Sequence, residues 1–185
     1  MELVPPRGKA GGILVGVSGD VFLVEQVEIG EYFVRVLVCD KIAKFKWNLI
    51  AVYGDAQVAG KTAFLSELSR MYQNNHLPYL VGGDFDIIRK RSEKNKANTT
   101  NHWSFVFNAI IEHARLRELT LPDKQYTWAN NLEDPTFEKL DRVLFCSELE
   151  EHYPLAFLSS MARDLSDHTP LIVDTGECSS KTPIF

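Results

Sequence analysis

Cysteine is scarce in this chain: Cys39, Cys146 and Cys178 are the only three in 185 residues, widely spaced and without a CxxC pair. That pattern excludes a disulfide framework or a zinc knuckle as the organising device and predicts reduced thiols in an intracellular protein, cytoplasmic or nuclear. Long apolar runs are also lacking. None reaches the length that crosses a bilayer, and residues 1–12 have no apolar core of the secretory kind, so no membrane association is expected. Asn98-Thr99-Thr100 then reads as an accidental glycosylation pattern. Positive charge is in deficit, with 20 Lys and Arg against 25 Asp and Glu and a net charge of -5. A surface that grips nucleic acid by charge alone is therefore not expected, although a local basic cleft is still allowed.

One further absence concerns a single glycine. The stretch DAQVAGKT, residues 55–62, follows a strand and opens a helix, and it ends in Gly60-Lys61-Thr62 like a phosphate-binding loop. Its leading position is Asp55 instead of glycine. A carboxylate there repels the phosphate that such a loop must wrap with inward N–H groups. The plainer reading is that Lys61 and Thr62 begin a surface helix.

What is present is enough for one core: 45% of the residues are hydrophobic and 11% aromatic, with no internal repeat and no linker. Residues 11–17, 21–29, 32–40 and 47–54 are β-branched or alternating runs separated by Gly, Asp and Lys, and they predict an antiparallel meander. Phe64, Leu65, Leu68, Met71 and Tyr72 fall on one face of a helix over residues 61–75. LPYLVGGD, residues 77–84, predicts a buried strand. The polar run 90–101 reads as an exposed loop, followed by a second amphipathic helix carrying Trp103, Val106, Phe107, Ile110 and Ala114. Short strands are expected around residues 126–130, 139–146, 155–160 and 170–174. The interleaving predicts an α/β (α+β) layered sandwich of two mainly antiparallel sheets with flanking helices. The domain spans residues 1–176, and residues 177–185 form a loose tail.

The acids carry the chemistry. Asp84 and Asp86, in GGDFDIIR, stand two apart at the end of a buried strand, and on an extended chain alternate side chains face the same way. Both could line one cleft, where paired carboxylates suit Mg²⁺; equally they could be solvated acids of a turn. Asp141 lies in the apolar run KLDRVLF, where a buried charge needs a partner. Arg142 is one partner and His168, in LSDHTP, a more interesting one. A carboxylate beside an imidazole raises its proton affinity and sets its tautomer, as a phosphate-activating histidine requires.

Taken in order, WNLIAVYG, LVGGDFDIIR, YTWAN with KLDRVLF, and SDHTPLIV resemble the endonuclease/exonuclease/phosphatase superfamily, and most of all the endonuclease domain of plant retrotransposons of the LINE kind. The resemblance runs over roughly residues 11–176. It implies a Mg²⁺- or Mn²⁺-assisted attack of water on a phosphoester. By this resemblance Asp84 holds or activates the water, Asp86 stands where an asparagine usually contacts the scissile phosphate, and Asp141 orients the histidine. Asp167 is a metal-associated acid, with Asp84 and Asp86 as its companions, and His168 contacts the phosphate. Tyr53 can hydrogen-bond a phosphate oxygen, or be no more than a half-buried strand aromatic. Lys90, Arg91 and Lys94 offer a nucleic-acid contact.

The chain also departs from the family pattern. An early asparagine and a metal-binding glutamate belong upstream of GGILV, and Glu2 does not replace that glutamate, so an N-terminally truncated domain is expected. Asp86 puts a negative charge against phosphate, at a cost on the order of 4 kcal/mol at about 4 Å. Two functions follow. One is a retrotransposon-derived domain with impaired or lost hydrolysis, kept for regulation or protein binding through an exposed sheet edge, as a homo-oligomer or with another protein. The other is an active Mg²⁺-dependent DNA endonuclease.

Overall fold

The computed structural model describes residues 2–4, 12–96, 102–130, 132–164 and 166–176. The expected tail, Cys178 and the 98–100 pattern lie outside them. Along the chain the elements are β1 (Glu2–Val4), β2 (Ile13–Val15), β3 (Phe22–Ile29), β4 (Phe33–Asp40), β5 (Lys46–Tyr53), α1 (Val58–Gln73) and β6 (Tyr79–Asp84). There follow a 3-10 turn (Arg91–Glu93), α2 (His102–His113), β7 (Arg117–Glu118), β8 (Trp128–Ala129), β9 (Phe137–Glu138), β10 (Asp141–Phe145), α3 (Ser147–His152), β11 (Phe157–Ser160) and β12 (Leu171–Asp174).

A six-stranded sheet in the order β3-β4-β5-β6-β10-β7 forms the frame. The expected meander is present from β3 to β5, whose alternating runs pair antiparallel. β2 does not join it. Ile13–Val15 pair instead with β1 as a separate antiparallel ladder. Among the described strands β5 to β6 is the one parallel step, since α1 crosses between them. The remaining strands form small two-stranded sheets, β1 with β2, β8 with β9 and β11 with β12.

Helix α1 buries Phe64, Leu65, Leu68, Met71 and Tyr72, the face expected from the spacing, and buries Lys61 as well. α2 buries Phe107 and Ile111. Between them sits Phe85, fully buried, with ring centroids 6.4 Å from Phe64 and 5.1 Å from Phe107. This aromatic plug pins the exit of β6 to both helices. Leu80, Val81 and Leu144 complete the centre of the sheet. The short helix α3 had no apolar period long enough to announce it; it buries Leu149 and stacks His152 on Phe45.

The most polar part of the interior surrounds Arg142, whose side chain is wholly buried. Its guanidinium donates to Glu93 at 2.6 Å, to Glu118 at 3.1 Å and to the carbonyls of Ile87 and Lys139. Burial pushes the Glu118 carboxyl up, but Arg142, Lys139 and Arg89 outweigh it and hold the group at about 2. Arg142 is thus not the partner of Asp141. It locks the loop between β6 and α2 onto β10.

Candidate active site

Three neighbouring strands end at one level. The parallel register sets Tyr53 of β5 opposite Asp84 of β6, and the antiparallel register sets Asp84 opposite Asp141 of β10. β10 begins here, and β5 and β6 each stop here for a local reason. Gly54 follows Tyr53, and a Cβ at Gly54 would lie 2.4 Å from the Phe85 carbonyl oxygen, so the two strand exits touch. Its N–H donates to the Asp84 carbonyl at 2.7 Å. Beyond Asp84 the chain turns, and Asp86 adopts a left-handed φ of 52° with its N–H on the Asp84 Oδ1 at 2.9 Å.

That turn corrects the alternation argument. Asp84 and Asp86 are not on one extended strand, so nothing in strand geometry forces their side chains to the same side. They are nonetheless close enough to interact, because Asp86 contributes to the raised pKa of Asp84.

The fourth contributor arrives from far along the chain. His168 forms a bridge with Trp128, and its Nδ1 lies 2.9 Å and 3.2 Å from the two Asp141 oxygens. Its Nε2 faces Asp84 Oδ2 at 3.7 Å. Asp84, Asp141 and His168 each offer a ligand atom within 4.8 Å of the others. A cavity of about 500 Å³ runs past this cluster, lined by Leu14, Ile50, Leu80 and Val143 and reaching Asp141 and His168.

Electrostatics follow from this packing. Asp84 is 7% exposed, and burial followed by the charges of Asp86 and Asp141 pushes its carboxyl up to about 7. The hydrogen bond to Asp141 raises His168 to about 9, against a smaller opposing effect of burial. For Asp86 burial raises the pKa, and the nearby Lys61 and His168 oppose it. An imidazolium thus sits between an acid that holds it and an acid that resists ionisation.

Thr127 is the residue that sequence reasoning missed. It is 1% exposed, and its Oγ1 accepts from the amides of both Leu140 and Asp141 at 3.0 Å. Its carbonyl accepts from the Thr169 amide at 2.7 Å. One side chain and its own backbone therefore tie the start of β10 to the His168 segment. The YTWAN motif marked the place, but a threonine flanked by aromatics gave no chemical reason to single it out.

The other expected site residues stand apart from the cluster. Asp167 is exposed, and its carboxylate accepts from Trp128 Nε1 at 2.9 Å, outside the group of three. Tyr53 is half-buried at the level of Asp84. Lys94 pairs with Glu138 at 2.5 Å. Lys90 and Arg91 are exposed at the 3-10 turn, with Lys90 on the rim of a different cavity of about 460 Å³ beside Asn108 and Thr120. The supposed phosphate loop is closed on itself. Asp55 accepts the Gln57 amide at 2.8 Å and its carboxylate fills the space beside Gly60, while the Lys61 ammonium lies on two backbone carbonyls.

No family model matches the chain, and no curated protein matches it. Solved structures do. The endonuclease domain of TRAS1, a telomere-specific non-LTR retrotransposon, matches with a TM-score of 0.63 at 10% identity, over 94% of this chain and 78% of that one. The human Nocturnin catalytic domain gives 0.53 at 12% identity, over 84% and 60%. The AP endonuclease LMAP from Leishmania major gives 0.53 at 12% identity, over 76% and 53%. This chain thus spans little more than half the length of the latter two. What is shared at such identities is the path of the backbone, and the chain has the fold of the endonuclease/exonuclease/phosphatase proteins.

Proposed function

We propose that the chain is a divalent-metal-dependent phosphodiesterase of the endonuclease/exonuclease/phosphatase family, derived from a retrotransposon endonuclease and acting on DNA. One observation carries the reading: an imidazole held by Asp141 at 2.9 Å with its other nitrogen turned toward a buried carboxylate. Asp141 keeps His168 a cation at neutral pH, so Nε2–H is available to donate to a phosphoryl oxygen on which charge develops. Asp84 carries an oxygen that can accept from an attacking water, and its raised pKa places it near the range where a general base works best.

The donor set fits a metal. Burial first, and then the charges of Asp86 and Asp141, hold the Asp84 carboxyl up against the opposing His168, so a bound cation would favour its ionised form. Hard oxygen ligands suit Mg²⁺ or Mn²⁺. Asp84 and Asp86 would hold the ion, leaving Asp141 committed to the imidazole. When bound, the ion supplies Lewis-acid stabilisation of the phosphoryl group.

The test is nicking of supercoiled plasmid by the purified chain with Mg²⁺ or Mn²⁺, then with EDTA, beside Asp84→Ala and His168→Ala. Metal-dependent nicking that disappears in both variants is expected. A folded wild type that cuts no better than the variants would overturn the reading.

A second reading, a domain whose hydrolysis is lost and which is kept for protein binding, has one observation in its favour. β3 forms a sheet edge eight residues long, with Leu23, Val24 and Ile29 exposed along it. Such an edge is a template for antiparallel pairing with a second copy. A concentration-dependent dimer in solution scattering, abolished by Val24→Lys, supports it; a monomer at high concentration counts against it.

A further inference from the structure

Lys61 is a buried charge that the proposed reaction does not use. It lies in the first turn of α1, is 8% exposed, and reaches away from solvent into the gap between the exits of β5 and β6. Its Nζ donates to the Asp55 carbonyl at 3.0 Å and to the Asp86 carbonyl at 2.6 Å. A lysine is seldom buried on backbone carbonyls without a reason, because desolvating an ammonium is costly. Burial accordingly lowers its pKa, with Asp86 and then Asp55 opposing the effect.

The reason lies in the backbone it holds. Asp86 has φ 52°, a left-handed conformation that is strained for an L-residue and persists where its surroundings impose it. The same residue's N–H binds the Asp84 carboxylate. Its carbonyl is bound by Lys61 and its neighbour Phe85 is clamped between α1 and α2. Both peptide ends of Asp86 are therefore fixed, one by the helix lysine and one by the acid at the centre of the site.

We propose that Lys61 is a positioning residue of the candidate active site, holding the Asp86 turn left-handed so that the Asp86 amide stays on Asp84 Oδ1 and the other oxygen of Asp84 faces His168. The proposal rests on the functional reading above and adds a residue from an element that carries none of its chemistry. The Gly60-Lys61-Thr62 ending thus has a use after all, with the ammonium spent on the chain's own carbonyls and the phosphate-binding geometry closed off by Asp55.

The experiment compares wild type, Lys61→Met and Glu67→Gln by hydrogen exchange of the Asp86 amide and by Mn²⁺ titration calorimetry. Glu67 sits on the same helix and accepts the amides of Glu31 and Tyr32, far from Asp84 in its contacts, so its variant controls for loss of helix anchoring. For Lys61→Met, Asp86 exchange is expected to rise at least about 10-fold relative to Val81, and Mn²⁺ affinity to fall about 10- to 100-fold, as for other residues that orient metal ligands. Glu67→Gln is expected to change neither. Unchanged Asp86 exchange in Lys61→Met overturns the proposal, as does lost protection with unaltered Mn²⁺ affinity, or an equal loss in Glu67→Gln. A wild type that binds no Mn²⁺ overturns the functional reading and the site role with it, while the exchange data still decide whether Lys61 holds Asp86. If Lys61→Met does not fold, Lys61→Gln, which keeps one donor, is read against the same outcomes.

Discussion

Replacing Asp141 with asparagine should uncouple the histidine from its acid while leaving the geometry in place, since the amide oxygen can still accept from Nδ1. In the wild type His168 is raised to about 9 from an ordinary 6.5, chiefly by the hydrogen bond to Asp141. That difference corresponds to about 3 kcal/mol in favour of the cation. Asp84 and Asp167 contribute and survive in the variant, and the imidazole is 29% exposed, so the loss should be about 2 kcal/mol. The sign follows from linkage: a group raised in the folded state adds stability that is complete below its unfolded pKa and vanishes as pH rises through its folded one. The His168 contribution to the difference between wild type and Asp141→Asn should therefore be complete below pH 6.5 and be lost between 6.5 and about 9. Asp84 adds to the narrowing at lower pH. Its own pKa is raised partly by Asp141, so removing that charge relieves the variant as pH rises from 3.8 to about 7, where Asp84 must ionise. Urea unfolding at three pH values across this window, with an NMR titration of His168, measures both effects. A His168 that titrates at the same pH in both proteins, or a stability gap that does not change with pH, would refute the reasoning. Plasmid nicking should fall by at least about 100-fold in the variant, the scale of general acid–base contributions.

Two further variants probe the supports of the site. Arg142→Met leaves Glu93 and Glu118 buried without their guanidinium and should cost about 3–5 kcal/mol in urea unfolding at neutral pH. Because Glu118 is held at about 2, that difference should be complete above pH 4.5 and shrink as pH falls toward 2. Thr127→Val keeps the volume but deprives the Leu140 and Asp141 amides of their acceptor, at a cost of about 1–3 kcal/mol. It should also loosen His168, seen as a smaller pKa elevation in the same NMR titration.

Much of this was legible in the residues. The alternating runs of β3 to β5 and the apolar face of α1 are local patterns, set by where each side chain must point for its strand or helix to bury anything. The residue types of the site were legible too, because an acid in an apolar strand and an Asp-His pair are chemically conspicuous. Less visible were elements with little local signal. The ladder of β1 with β2 and the helix α3 exist through contacts with other parts of the chain, and Gly60-Lys61-Thr62 was misleading because a motif does not show what fills its loop.

The sequence by itself determined that Asp84 would end a buried strand, that Asp141 would need a partner, and that a histidine with an acidic neighbour lay late in the chain. Only the tertiary structure decided that the partner is His168 and that Arg142 serves Glu93 and Glu118 instead. It also decided that Asp86 turns left-handed away from the strand and that Lys61 and Thr127 brace the site. The physical reason is that these choices depend on sheet register and on which polar groups are sealed from water together. Asp84 and Asp141 meet because β6 and β10 pair antiparallel across 57 positions of chain, a relation that no short stretch of residues encodes.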